Sequence, residues 1–384
     1  MKKKILFINH SGVYGGATRS LILYLNELIN IHDIKCLSPK GSATNNFKIN
    51  NISFFQVWGL PQFNNCLIGY YKNFRWLILF RELFYLVYFF FWLIFNFKKI
   101  SQFDIFHLND VTLIPTGLLI KFFFSKKLIV HVRSKQKENL CIAKKLVNFF
   151  LKNYADQIIC IDKDVKKTIY FDDIKDKISI IYNSYIPSKL SRKSRIAKSF
   201  NVGFIGNFVF SKGLDILFEV VKINKNNNEL NFFFAGPLQK NNFIHKVYNF
   251  FGLRAYYNNQ IRVLKNYSNV HFLGFLNDLN EFYSVIDLIC FPSYLEAAGR
   301  PTIEGFSHGI PTLLALKKEA LNDYVIDNYN GFIFETGSVI DLNLKIEKIS
   351  RNTNLNQDIK KNCFDTFEKK FSFEKNFKLF LKIF

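Results

Sequence analysis

Short apolar runs recur along almost the whole of this chain, and helix-patterned stretches separate most of them. KILFINH opens the series, and DIKCLSP (33–39), ISFFQVW (52–58), DIFHLND (104–110), KLIVHVRS (127–134), QIICID (157–162) and KISIIYNS (177–184) continue it. A second series holds NVGFIG from residue 201, NFFFAGP (231–237), NVHFLGF (269–275), DLICF (287–291), PTLLAL (311–316) and NGFIFE (330–335). Strands that alternate with helices imply parallel sheets covered on both faces. Between Tyr185 and Phe200 the stretch YIPSKLSRKSRIAKSF loses its period and turns polar and basic, as linkers do. With 384 residues there is enough chain for two cores. The expected fold is therefore α/β, with two Rossmann-like doubly wound domains. Their bounds are 1–190, a linker 191–200, 201–370, and a helical tail 371–384.

The net charge of +22 sits mostly in the first half: residues 1–200 hold 31 Lys and Arg against 12 Asp and Glu, and the remainder holds 21 against 18. An AT-rich genome enriches Lys, Asn, Ile and Phe together and would spread lysine evenly, so the asymmetry points to an anionic partner of the first domain. A membrane surface or a phosphorylated acceptor fits. Nucleic acid fits less well, because no zinc-finger spacing, recognition helix or RNA-binding signature accompanies the charge.

Leu83 to Phe97 is fifteen residues without a charge, bounded by Arg81-Glu82 and Lys98-Lys99. A spanning helix needs about 20. The segment is a core helix, a helix lying in a membrane interface, or a span, and composition leaves all three open. Cys36, Cys66, Cys141, Cys160, Cys290 and Cys363 form no C-x-x-C pair, which reads as buried thiols in a reducing compartment. MKKKILFINH has too short an apolar run for a secretory signal. These features together predict a cytoplasmic protein, peripheral at the inner face of the cell membrane.

Polar groups gather where strands end. Asn9-His10, His107 to Asp110 and His131 to Ser134 all fall at carboxyl ends, and Arg133 shares strand parity with His131. After the first strand, Gly15-Gly16 either makes an ordinary tight turn or lets backbone approach a ligand ahead of a helix expected from Ser20 to Ile29. In the second half, a helix is expected near Lys212-Gly213, where the lysine can meet a phosphate. The densest stretch is Pro292 to Thr312, PSYLEAAGRPTIEGFSHGIPT, with Glu296 and Glu304 eight positions apart. Pro301 reads as the first residue of a helix and Glu304 as part of its opening turn. Glu304 then either complements the helix dipole or accepts hydrogen bonds from a polyol.

That stretch resembles the signature of the retaining, group 1 (family 4) nucleotide-sugar glycosyltransferases, through Pro292-Ser293, Glu296, Gly299, Glu304 and Gly309-Ile310-Pro311. Tyr14-Gly15-Gly16-Ala17 and Gly206, Lys212, Gly213 are similar to further motifs of the family. Two positions depart from it: Ala297-Ala298, where Gly and an aromatic are usual, and Asn207, where an Arg is usual. The resemblance implies a GT-B fold, with the two domains facing across a cleft. It implies transfer of a hexose from a nucleotide diphosphate sugar to a hydroxyl of a lipid-linked or cell-envelope polysaccharide precursor, without a metal or other cofactor. By the same resemblance His131, Lys212 and Glu296 are catalytic, and Gly15, Gly16, Gly206, Asn207, Lys212, Gly299, Arg300 and Glu304 bind the donor. A catalytically weak partner subunit that binds membrane or another transferase is the rival reading, supported by Asn207.

Overall fold

The computed structural model describes residues 2–66, 77–137, 142–169, 171–188, 199–237, 255–276, 278–295, 298–317, 322–352 and 355–384. By internal packing they divide into two units, Met1–Ser184 with Phe373–Phe384, and Tyr185–Ser372. Most of the segment expected as a linker lies outside the described residues.

The first unit is built on a seven-stranded parallel sheet of β1 (Lys4–Ile8), β2 (Asp33–Pro39), β3 (Phe54–Val57), β4 (Ile105–Leu108), β5 (Lys127–Val132), β6 (Gln157–Cys160) and β7 (Ile178–Ile180). Their order is β3-β2-β1-β4-β5-β6-β7, so the winding direction reverses between β1 and β4. Strand parity sorts the core. Leu6 and Ile8 pack with Phe106, Val130 and Phe150 on one face, and Ile5 and Phe7 pack with Leu21, Leu25 and Phe380 on the other.

The terminal helix Phe373–Leu381, expected as part of a tail, belongs to this first unit. Phe380 stacks on Tyr24 at 4.6 Å, Phe384 meets Phe7 at 5.7 Å, and Lys127 Nζ donates to the Ile383 carbonyl at 2.6 Å. Three apolar side chains that look like an amphipathic tail in sequence close a sheet face some 370 residues upstream.

The second unit holds β8 (Phe200–Ile205), β9 (Leu230–Ala235), β10 (Val270–Gly274), β11 (Leu288–Phe291), β12 (Thr312–Leu316) and β13 (Gly331–Glu335), all parallel. The order is β10-β9-β8-β11-β12-β13, the doubly wound arrangement with its reversal between β8 and β11. Ligands in such sheets bind beyond the carboxyl ends at that reversal. Between β9 and β10 a helix, Ala255–Leu264, is described.

The apolar segment forms an eighteen-residue helix, Ile78–Phe95, of which only Glu82, Phe89 and Leu93 are buried. It is the one helix among the described residues long and apolar enough to cross a membrane by length and composition. It is not a core helix. Phe89 and Leu93 pin it to the sheet beside Val57, Leu60 and Phe106, while Phe80, Leu83, Phe84, Val87, Phe91 and Phe95 are exposed. Burial pushes the thiols of Cys36, Cys160, Cys290 and Cys363 up, and that of Cys66 to about 11. Cys141 lies outside the described residues.

Candidate active site

In the second unit the loops leaving β8 and β11 meet at the reversal point. After β8, Gly206 donates its amide to the Ala235 carbonyl at 2.9 Å, and the chain passes through a short 3-10 turn, Phe210–Lys212, into the helix Leu214–Ile223. Gly213 between them is left-handed, with φ 67°, and a Cβ there would stand 1.8 Å from the Pro292 carbonyl oxygen. Only glycine meets both demands. Ser293 Oγ donates to the Ser211 carbonyl at 3.1 Å, so Pro292-Ser293 clamps the lysine loop from the other side.

That clamp fixes Lys212. Its ammonium lies 4.8 Å from the centre of the Phe291 ring, a cation–π contact, and no carboxylate pairs with it among the described residues. Burial lowers its pKa. A partly desolvated cation without an anion is held in a less favourable state than in water, and an incoming phosphate would relieve it. Phe291 also packs against Gly299, where a Cβ would come within 2.8 Å of its ring. One aromatic side chain therefore spaces the lysine loop from the second motif.

Gly299 caps the helix Arg300–Phe306 with its backbone, and Pro301 lies in the first turn. Because the helix begins at Arg300, Glu304 falls beyond the opening turn in which it was expected, and of its two readings the dipole one loses its basis. Glu304 is buried instead. Tyr283 donates its hydroxyl to Glu304 Oε2 at 2.7 Å, and Arg300 Nε donates to Oε1 at 3.2 Å. Burial, with the Glu304 charge beside it, pushes the Tyr283 hydroxyl well above its ordinary range. A carboxylate has about four lone-pair sites, so these two bonds leave Glu304 able to accept more. Asn207 is exposed and brings no charge to the loop. Glu296 and Ala297 lie outside the described residues.

In the first unit Gly15 and Gly16 start a helix, Gly16–Leu28, four residues earlier than expected. Gly15 is its N-cap, no side chain caps it, and a Cβ at Gly15 would meet nothing within 4 Å. His131 is buried in a polar cluster on the same sheet. Arg133 reaches the Asn109 Oδ1 at 2.7 Å, the Asn183 Oδ1 at 3.0 Å and His131 Nδ1 at 3.3 Å. Asn109 in turn donates to Asn9 Oδ1 at 3.0 Å. Burial first, then the charge of Arg133 and the ring of His107, holds the His131 pKa well below its ordinary value, so the ring is neutral. Facing a guanidinium with Nδ1 puts the ring proton on Nε2, which is enclosed without a partner.

Sequence reasoning missed Tyr283, Phe291 as a cation platform, and Asn183 beside Arg133, whose other partners fall within the strand ends it did single out. Phe291 closes the apolar run before the motif and was there to be noticed. Tyr283 is on another element, and nothing local marks it.

Residues 188–365 match the family described as Glycosyl transferases group 1. An uncharacterized glycosyltransferase, MJ1178 of Methanocaldococcus jannaschii, is 28% identical over 273 residues, which cover 68% of this chain and 70% of that one. CapM of Staphylococcus aureus, a capsular polysaccharide biosynthesis glycosyltransferase, is 27% identical over 176 residues, 45% of this chain and 43% of that one. In architecture the chain is similar to HepE of Anabaena, solved with UDP and glucose, at a TM-score of 0.74 and 17% identity, covering 99% of this chain and 98% of that one. The match to the group 1 glycosyl transferases thus spans residues 188–365, and the chain as a whole has the two-domain α/β fold, GT-B, of the glycosyltransferase structures it is similar to.

Proposed function

We propose that the protein is a retaining hexosyltransferase that takes its sugar from a nucleotide diphosphate donor and gives it to a hydroxyl of a lipid-linked or cell-envelope polysaccharide precursor. The observation that carries this reading is Lys212, an ammonium without a carboxylate partner among the described residues, clamped at the reversal point of the second sheet. HepE solved with UDP-glucose and CapM's role in capsule synthesis support the donor and acceptor classes.

In this reading Lys212 meets the charge that develops on the leaving diphosphate, with the backbone of Gly206 and Asn207 alongside. A fixed donor aimed at that charge needs no reorganisation during reaction. Glu304, steadied by Arg300, accepts from the ribose, and Glu296 takes the donor sugar. Gly299 lets that loop pass close, while Gly15 and Gly16 offer bare backbone. Neutral His131, which by the resemblance lies beside the reacting sugar, brings no charge to it. No resident metal has a role in this leaving-group chemistry, so transfer from a UDP-hexose should continue in excess EDTA. Loss of turnover that added Mg²⁺ restores would overturn it. The partner-subunit reading retains one supporting observation, the uncharged Asn207, and no transfer under any condition would favour it.

Membrane attachment through the first unit completes the proposal. The uncovered face of Ile78–Phe95 continues over Leu118 and Phe122 of the adjoining helix Ile114–Phe124, and over Leu146 and Phe149 of the next, Ile142–Asn153. Exposed Lys98, Lys99, Lys126 and Lys145 belong to these helices or directly follow them. Patches of this kind on a monomer mark interaction sites. Phe89 and Leu93 in the core oppose a span, because a helix crossing the bilayer would have to leave the sheet. Each lysine at the headgroups adds about 1 kcal/mol, which salt weakens. The protein should float with anionic vesicles at low salt and partly at high salt, and Phe84→Asp with Phe91→Asp should abolish the salt-resistant part. Equal recovery with neutral vesicles, or no effect of the two substitutions, would contradict this.

A further inference from the structure

Glu304 is held by donors on two different elements. Tyr283 reaches Oε2 at 2.7 Å from the single helical turn Asn280–Tyr283, and Arg300 Nε reaches Oε1 at 3.2 Å from the start of Glu304's own helix. The two donors differ in freedom. Arg300 keeps 18% of its side chain exposed and stands on a long aliphatic arm, so its guanidinium can follow the carboxylate. The Tyr283 ring cannot. It is fully buried among Phe282, Ile286, Ile289 and Ile310 in the core of the second unit, and it packs against the His308 ring at 5.4 Å. Its hydroxyl is a fixed point at the tip of a rigid ring, and Glu304 has to come to it. Burial and the Glu304 charge also keep that hydroxyl protonated, so it stays a donor.

Each carboxylate oxygen has about two lone-pair sites. Tyr283 takes one on Oε2 and Arg300 one on Oε1, which leaves one free on each oxygen among the described residues. At 4% side-chain exposure little water reaches them, and unmet acceptors in such a setting are costly. Two adjacent acceptors call for two adjacent donors. A lone hydroxyl or amide would fill half of the need, whereas a vicinal diol fills both sites at once. The ribose of a nucleotide carries such a diol.

We infer that Tyr283 is a positioning residue of the donor site: by fixing Oε2 it presents the two free sites of Glu304 to the 2′- and 3′-hydroxyls together, and so sets the preference for ribose over a sugar that lacks them. Without that hydroxyl only Arg300 steadies the carboxylate, and Arg300 moves with it. The inference rests on the nucleotide-sugar reading and names the residue that stands behind ribose recognition.

The test is titration calorimetry on the full chain with UDP and GDP, the tighter of which is then compared with its 2′,3′-dideoxy analogue. The wild type should bind the ribonucleotide at least about tenfold more tightly, because a site built to accept from hydroxyls rejects the analogue without them. In Tyr283→Phe, which keeps the ring in its core and removes one oxygen, that preference should fall to about twofold or less. The dideoxy analogue should bind both proteins equally, since it keeps the diphosphate and never used Glu304. A purely structural role for Tyr283 would weaken both nucleotides alike and leave their ratio unchanged. That outcome, or a wild type that binds the two forms equally, would overturn the inference. Binding of neither UDP nor GDP would overturn the nucleotide-sugar reading itself, and the inference with it.

Discussion

Replacing Lys212 by alanine should lower glycosyl transfer by about 100- to 1000-fold, the loss typical when one fixed donor to a developing negative charge is removed. The fold should persist. Among the described residues Lys212 has no carboxylate to orphan, and its loop is held by Gly213 against the Pro292 carbonyl and by Ser293 on Ser211, neither of which uses the lysine side chain. The effect is expected to exceed that in relatives with two cations, because Asn207 supplies none. Asn207→Arg should accordingly tighten donor binding and partly rescue Lys212→Ala. Turnover of Lys212→Ala at the normal rate would place the phosphate site elsewhere.

Glu304→Ala should act on stability as well as on the donor. At 4% side-chain exposure the carboxylate holds Tyr283 and Arg300, and its removal leaves a buried hydroxyl and a mostly buried guanidinium facing a gap. Breaking such a buried pair costs about 3–5 kcal/mol. For a unit of this size that lowers the unfolding midpoint by roughly 10 °C. Glu304→Gln keeps an acceptor for Tyr283 while turning an amide on Arg300, so its midpoint should fall between the two, with donor affinity still reduced. An Ala variant that melts with the wild type would show that the carboxylate does not hold this network together.

The strands were legible because a parallel strand buried on both faces is a continuous apolar run, and each expected strand is present, most of them with trimmed ends. The glycine and proline positions of the second unit were legible too, since Gly213, Gly299 and Pro301 each serve a local backbone need. Side-chain partners across elements were not. The Tyr283 bond to Glu304 joins residues 21 apart through the fold, and the Arg133 cluster joins three strand ends. The orientation of Ile78–Phe95 was also hidden, because a helix apolar on every side has no period to read. Phe89 and Trp92 turn out to face the protein, and Phe84 and Phe91 turn outward.

Titration calorimetry of UDP and uridine against the wild type and Lys212→Ala tests the central claim most directly. If Lys212 holds the diphosphate, UDP binds the wild type at least about tenfold more tightly than uridine, about 1.4 kcal/mol. That gap should collapse in Lys212→Ala, with uridine affinity unchanged. Equal affinities of the wild type for UDP and uridine, or a gap that survives in Lys212→Ala, would contradict the account.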